Sequence, residues 1–398
     1  MKRRYFMKPV KIKEGIFWVG AMDWDRRLFD SLIPLPDGTS YNAYLIYGSE
    51  KTVLIDTVDP SKVDILLSHV RDVQKIDFIV SQHAEQDHSG AIPQILDKYR
   101  EAKVITTPKG KGLLIDHLHI DGERIITVAD GETLSIGGKT LEFLHTPWVH
   151  WPETMVTYIH EDKVLFTCDL FGSHLATSSL YSEEDWKVCE AAKRYYAEVM
   201  MPFRVTIRRH IERLEKYQID TIAASHGPVY NDPQCIIQSH REWVSDKVSN
   251  TVILPYVTMH GSTQLMVEYI TESLSDKGIH VERFNLPVTD MGKLAIALVD
   301  AATIVFGSPT VLVGAHPLVM SASFLVNSLR PKLKFASIIC SHGWGGKTVE
   351  QITGMLSNLK LEMLEPVIIK GKPKDDDFKS LEKLASEIAD RHKKNSIV

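Results

Sequence analysis

The sequence predicts two α/β domains in series: a layered domain over residues 1–248 with much of its sheet antiparallel, and a doubly wound parallel sheet over residues 249–398. Three observations carry that expectation. A chain of 398 residues is long enough for two separate cores. Apolar runs of strand length alternate with helical patterns throughout, yet only the second half keeps a regular strand-then-helix rhythm. Between the halves, Ser245 to Asn250 breaks the apolar rhythm and a fresh strand begins at once.

In the first half, Gly15 to Gly20 and Tyr41 to Tyr47 read as strands, with Pro36-Asp37-Gly38 as a turn between them. Lys51 to Asp56 is another strand, followed by an amphipathic helix over roughly Ser61 to Val73. Ile76 to Val80 reads as a buried strand. A helix from Ala91 to Tyr99 and a strand from Ala102 to Thr106 continue the pattern. Between Trp186 and Tyr217 the apolar spacing is helical, around Tyr195, Tyr196, Val199 and Met200 and then Ile207, Ile211 and Leu214.

The strand at Ile76 to Val80 runs directly into His83-Ala84-Glu85-Gln86-Asp87-His88, which places two imidazoles and two carboxylates within six residues. Any one of these residues alone would pass as part of a solvated loop. Together they leave one strand end and can face one point, as metal ligands do. An extended backbone would put His83, Glu85 and Asp87 on one side, with His88 reached by a turn. Three further strands end in a donor. Lys139 to Leu144 leads to His150, Lys163 to Cys168 delivers Asp169, and Thr221 to Ser225 delivers His226 ahead of a strand-ending Gly227-Pro228.

These seven donors are four imidazoles and three carboxylates, and with one bridging carboxylate two metals would each receive four protein ligands. Mixed nitrogen and oxygen donors without thiolate suit iron or manganese and leave positions open for a small substrate. His174, five residues after Asp169, and Tyr195 or Tyr196 could support the ligands from behind. The other histidines of this half, His117, His119, His145 and His160, read as surface or core residues.

In the second half, the strand Thr251 to Val257 enters Thr258-Met259-His260-Gly261-Ser262-Thr263 and then a helix from Leu265 to Lys277. Short hydroxyl side chains and a glycine ahead of a helix let backbone amides converge on a phosphate; the competing reading is a plain cap by Ser262 or Thr263. No glycine-rich dinucleotide fingerprint or Walker lysine is present, so a mononucleotide is expected. Strand His280 to Phe284 is followed by two more that end in small-residue loops. One loop holds Ser308, Pro309, Thr310, Val311 and Gly314; the other runs Ser341-His342-Gly343-Trp344-Gly345-Gly346, with an aromatic for a flat ring. A last strand, Glu365 to Lys370, and a helix from Ser380 to Lys393 complete five βα units, the order of a flavodoxin-like sheet with flavin mononucleotide at its switch point.

Composition narrows the partners. A net charge of -5, with no basic run beyond Met1-Lys2-Arg3-Arg4, argues against nucleic-acid binding. Lys8, Lys11 and Lys13 interrupt any secretory signal, and apolar runs such as Leu294 to Val299 are too short to span a membrane, so a cytoplasmic location is expected. The four cysteines are scattered without a Cys-x-x-Cys pair, which disfavours disulfides, thiolate metal sites and a rubredoxin-type module within this sequence.

The first half, through His83-x-Glu85-x-Asp87-His88 with His150, Asp169 and His226, resembles the metallo-β-lactamase-like αβ/βα sandwich of flavodiiron proteins, and the second half their flavodoxin-like domain. Hydrolytic members normally carry histidine where Glu85 stands. The resemblance implies reduction of dioxygen to water, of nitric oxide to nitrous oxide, or both, at a diiron centre fed by flavin mononucleotide. It implies that His83, Glu85 and His150 hold one iron and Asp87, His88 and His226 the other, with Asp169 bridging. It further implies an external donor, rubredoxin or a reduced deazaflavin coenzyme, and a head-to-tail homodimer or a tetramer. His260 and Gln264 depart from residues often found in the flavin loop. The alternatives are a zinc hydrolase with an accessory flavin domain, disfavoured by Glu85, and an electron-transfer module whose metal is merely structural.

Overall fold

The computed structural model describes residues 8–182 and 186–397, so the basic stretch Met1 to Arg4 lies outside the described residues. The chain divides into two compact units, one formed by Met1–Tyr196 with Phe203–Val244 and the other by Ala197–Pro202 with Ser245–Val398.

Side-chain alternation builds the first unit. Successive residues of a strand point to opposite faces, so in Thr52–Ile55 the flanking Val53 and Ile55 enter one core while Leu54 enters another. The same split separates Val80 from Ile79 and Ile105 from Val104. Leu54, Ile79 and Val104 pack in a cluster with Leu66, Ile92, Ile95 and Leu114 from the helices Val63–His69, Ile92–Lys98 and Pro108–Leu118. Val53, Ile55, Val80 and Ile105 share a second cluster with Leu141, Phe143, Met155, Val164 and Phe166 of another sheet. Two sheets thus meet face to face with helices outside them.

The first sheet orders its strands Val10–Lys13, Ile16–Trp18, Tyr44–Tyr47, Thr52–Ile55, Phe78–Val80, Lys103–Thr106 and Ile125–Thr127. Pairing is antiparallel as far as Thr52–Ile55 and parallel beyond it. The second sheet orders Glu132–Ser135, Thr140–His145, Met155–Ile159, Val164–Cys168 and Thr221–Ala224, antiparallel except for the last pair. Strands Phe78–Val80, Val164–Cys168 and Thr221–Ala224 each release a donor-bearing loop at the carboxyl end.

The expected strand Tyr41 to Tyr47 is two elements. Thr39–Tyr41 pairs with Ala21–Asp23, whereas Tyr44–Tyr47 belongs to the large sheet. The break falls at Asn42, a buried residue whose Nδ2 donates to the carbonyls of Ala224 and Gly227, each at 2.8 Å, while its Oδ1 accepts from Trp18 Nε1 at 2.8 Å. The expected helix between Trp186 and Tyr217 is interrupted as well. It runs as Trp186–Tyr195, a wider turn over Tyr196–Met200, a tight turn over Met201–Phe203 and a helix Arg204–Leu214, with Pro202 unable to donate the bond that would continue it.

In the second unit the parallel strands lie in the order His280–Asn285, Ser249–Tyr256, Ala301–Val311, Phe335–His342, with Glu362–Met363 and Val367–Lys370 both beyond the last. The sheet is therefore flavodoxin-like, and its reversal of strand order lies at Ser249–Tyr256 and Ala301–Val311. Helix Ser262–Asp276 buries Met266, Val267, Ile270 and Leu274 at helical spacing against Leu381, Leu384, Ala385 and Ile388 of Asp375–Lys394. Helices Met291–Leu298 and Pro317–Leu329 also contact the central strands.

Replacing Asn42 by Ala removes three buried hydrogen bonds and strands their partners, which should cost the first unit about 2–4 kcal/mol. Denaturant titration of the variant checks this. A change below about 0.5 kcal/mol would show that the three contacts are not holding the strand break in place.

Candidate metal centre and cofactor cavity

The loop after Phe78–Val80 bends at Gln82 and ends at Glu85, whose φ and ψ are -59° and 141°. Gln86–Ser89 then closes one helical turn. Asp87 is therefore placed by that turn and not by strand-like alternation, which corrects the expectation that His83, Glu85 and Asp87 share one extended side. The outcome is two donor groups in place of one row.

In the first group, Glu85 Oε2 lies 3.0 Å from His83 Nε2 and 3.1 Å from His150 Nε2. In the second, Asp87 Oδ1 lies 3.3 Å from His88 Nε2 and Asp87 Oδ2 lies 3.1 Å from His226 Nε2. Asp169 spans them. Its Oδ2 is 3.6 and 3.8 Å from His83 and His150, and its Oδ1 is 3.1 and 3.5 Å from His88 and His226. All seven predicted donors thus converge, and every imidazole turns its Nε2 inward. Asp87, His88, Asp169 and His226 are buried, as is His83, whereas the side chains of Glu85 and His150 keep 14% and 18% exposure, so the first group is the one that reaches the surface.

The electrostatics favour a bound cation. Burial opposes a charge on His83, but hydrogen bonds to Glu153 and Glu85 and the Asp169 charge outweigh it and lift its pKa to about 10. Burial likewise opposes charge on His88, and the nearby Asp169 and Asp87 raise its pKa well above the usual imidazole range. Asp169 is held well below the usual carboxylate range: burial disfavours its charge, but His88 stabilises it by charge and hydrogen bond. Both oxygens of Asp87 are buried without a hydrogen-bond donor, although imidazole nitrogens stand within 3.3 Å. Buried acceptors left in this way are matched by cations, and the mixed donor set suits iron or manganese.

Support from the surrounding shell is partly as expected. Tyr195 donates its hydroxyl to Asp169 Oδ1 at 2.8 Å. The His174 ring packs 4.9 Å from that of His226 and 4.7 Å from that of Tyr195, with Nδ1 2.9 Å from Thr39 Oγ1. Tyr196 does not join them: its hydroxyl donates to the Trp243 carbonyl at 3.3 Å, because neighbouring helical residues point about 100° apart. His117, His119, His145 and His160 stay outside the cluster.

Three carboxylates escaped the sequence reading. Glu153 Oε1 is 2.6 Å from His83 Nδ1, Asp56 accepts from the Gln82 amide at 2.8 Å and its side chain at 2.9 Å, and Asp30 stands beside Glu85 at a hairpin tip. Partial burial and the Glu85 and Asp87 charges push the Asp30 carboxyl up to about 6.

In the second unit a cavity of about 320 Å³ opens at the carboxyl ends of the strands. Of the residues expected there, Thr258, Met259, His260, Ser262, Thr263, Pro309, Thr310, Ser341, His342, Gly343, Trp344 and Gly345 line it. Gly261, Ser308, Val311, Gly314 and Gly346 do not. Gly261 caps the helix in a left-handed conformation at φ 85°, and Ser308 Oγ accepts from the His316 amide. Val311 and Gly314 pair as strand neighbours, and Gly346 lies against Thr310. In their place Leu312 and Val313, both exposed and at positive φ, border the cavity, and Gly371 joins from the last strand's exit. Neither Ser262 nor Thr263 is the cap. Thr258 Oγ1 instead accepts from the amides of Gly261 and Gln264, at 3.2 and 3.4 Å, and folds the loop over the helix start. Thr263, buried, sets its hydroxyl 3.0 Å from that of Ser341.

Residues 39–227 match the model of the ODP family beta lactamase. A nitric oxide reductase of Moorella thermoacetica is 34% identical over 96% of this chain and 99% of its own. The solved rubredoxin oxygen:oxidoreductase of Desulfovibrio gigas superposes with a TM-score of 0.92 at 31% identity, over 98% of this chain and 100% of that one. A flavodiiron protein of Giardia intestinalis does so at 0.90 and 25%, over 98% of each.

Protons and a metal compete for the same imidazoles, two of which hold protons well above the usual range. Divalent-cation binding to the stripped protein, followed by calorimetry, should therefore strengthen steadily from pH 6 to pH 8. Affinity that is flat over that interval would count against these imidazoles as the ligands.

Proposed function

The chain belongs to the flavodiiron protein family, and from that premise we propose that it reduces dioxygen to water, nitric oxide to nitrous oxide, or both, at a diiron centre supplied by flavin mononucleotide. It is an oxidoreductase; a zinc hydrolase is not favoured, since relatives matched along nearly their whole length are named as reductases of small gases or oxygen. The observation that carries the reading is Asp169, one buried carboxylate whose two oxygens each face a separate pair of imidazoles. In this reading His83, Glu85 and His150 would hold one iron and Asp87, His88 and His226 the other, with Asp169 shared between them. Flavin mononucleotide would be held in the cavity lined by Thr258, Ser262, Thr263, Thr310 and Trp344.

When bound, the irons supply electrons and open coordination positions for a diatomic gas, and the flavin replenishes the electrons. The residues do the rest. Asp169 fixes the separation of the two positions, and Tyr195 keeps its proton, because burial and the adjacent Asp169 raise its pKa well above the usual phenol range. Its hydroxyl therefore stays protonated at neutral pH, with the oxygen 2.8 Å from Asp169 Oδ1 on the buried side of the centre. Phe29 and Tyr41, whose rings lie 6.4 and 5.9 Å from that of His226, exclude water there. Gas approaches from the side of Glu85 and His150, the ligands that retain exposure.

No helix is long and apolar enough to cross a membrane among the described residues. We take the protein to work in the cytoplasm, as a head-to-tail homodimer or a tetramer of such pairs. Its electron donor is a separate rubredoxin or a reduced deazaflavin coenzyme.

Asp169→Ala should lower iron from two ions per chain to one or none and abolish consumption of both gases, while flavin absorbance persists. Normal turnover in that variant would end the bridging assignment. Thr263→Val should weaken flavin mononucleotide binding by roughly tenfold, the worth of one hydrogen bond of about 1.4 kcal/mol, and leave iron content unchanged. An unaltered flavin affinity would remove the Thr263 hydroxyl from the phosphate site.

A further inference from the structure

With all four imidazoles presenting Nε2 to the carboxylates, the outer nitrogen Nδ1 of each decides its tautomer and basicity. The four outer nitrogens are not treated alike. His226 Nδ1 donates to the Ser40 carbonyl at 2.6 Å. His88 Nδ1 meets the Cys168 sulfur, at 4.0 Å, and makes no hydrogen bond to a carboxylate among the described residues; nearby Asp56 accepts from the Gln82 amide, the Gln82 side chain and Ser225. His150 Nδ1 has no partner among the described residues. His83 Nδ1 alone donates to a carboxylate, Glu153 Oε1, at 2.6 Å, with both side chains wholly enclosed.

Glu153 is well placed to keep that contact. Its Oε1 also accepts from the Ala84 amide at 3.0 Å, and its carbonyl accepts from Thr107 Oγ1 at 2.9 Å. Two residues on, the Met155 amide donates to the Gln82 carbonyl at 3.0 Å, so the loop bearing His150 and Glu153 is tied to the loop bearing His83 and Glu85. The second oxygen, Oε2, is buried without a hydrogen-bond donor among the described residues, so His83 is the one side chain that donates to this carboxylate there. An ionised acceptor on the outer nitrogen pushes electron density through the ring to the inner one, and a more basic ligand favours the more highly charged state of its metal.

We infer that Glu153 is a positioning residue that makes the two metal positions unequal: by holding His83 as an Nδ1–H donor, it makes the His83–Glu85–His150 position the one whose metal is oxidised first. This rests on the diiron reading above. The position so favoured is also the one on the exposed side, where the gas arrives.

The test is a redox titration of the iron- and flavin-loaded full chain, followed by Mössbauer spectroscopy, in wild type, E153Q and E153D. In E153Q, which keeps the shape and removes the charge, one iron potential should move to a more positive value while the other stays. Iron at one position should also be lost to a chelator about 10- to 100-fold more readily. E153D, with the charge on a shorter arm, should move the same potential by less, and it carries the test should the glutamine variant not fold. Folded variants with wild-type potentials and iron retention would overturn the inference, as would an equal shift of both irons. A wild-type protein that holds only one iron would instead defeat the diiron reading, so the two failures are told apart.

Discussion

Burying Asp87 and Asp169 in a region almost free of solvent, with Glu85 at its edge, is a cost that the fold must offset, and the first unit is arranged around that requirement. An isolated buried carboxylate is strongly unfavourable, and paired charges break even only when their geometry and hydrogen bonds are good. Four imidazoles from three separate loops supply the pairing. Those loops converge because the strands that launch them end at the same rim of the sandwich, and Asn42 stitches the His226 loop to the strand break ahead of Tyr44–Tyr47. Without that rim, no local propensity would bring residues 83, 150, 169 and 226 together.

How far the centre was legible depended on whether chemistry and local pattern coincided. The His83 to His88 cluster is contiguous and follows a buried strand, so its donors stand out. Asp169 and His226 were also readable, since one directly follows an apolar strand and the other comes two residues after one, with Gly227-Pro228 marking the stop. Glu153 carried no such mark: in Trp-Pro-Glu-Thr it looks like an ordinary loop acid, and its partner His83 is 70 residues away. Asp56 likewise reads as the last residue of a strand. Tyr195 and Tyr196 are adjacent and chemically identical, and only the phase of the helix, disturbed by the wider turn that begins at Tyr196, sends one to Asp169 and the other to Trp243.

The flavodoxin-like sheet was easier to foresee as architecture than as a list of contacts. Parallel strands with crossover helices bring every carboxyl-terminal loop to one edge, so the three loops at 258, 309 and 341 had to be neighbours. Which side chain faces the cavity depends on backbone conformation, which composition does not reveal. Leu312 and Val313 both adopt positive φ, an uncommon state for apolar residues and most of all for a β-branched one. A reading by small residues therefore selected Gly314 and passed over the two apolar ones beside it.

Charge balance links the donor set to the kind of chemistry. Glu85, Asp87 and Asp169 can contribute three negative charges to a centre that two divalent ions would bring four positive charges to, and Glu153 adds another negative charge one bond system farther out. Replacing Glu85 by a neutral imidazole would leave such a pair of ions more positive, which favours binding and activating water over giving up electrons. A carboxylate at that position, on the exposed side, would lower the cost of accumulating positive charge on a bound metal. Glu85 thus puts its charge on the side of the donor cluster that retains exposure.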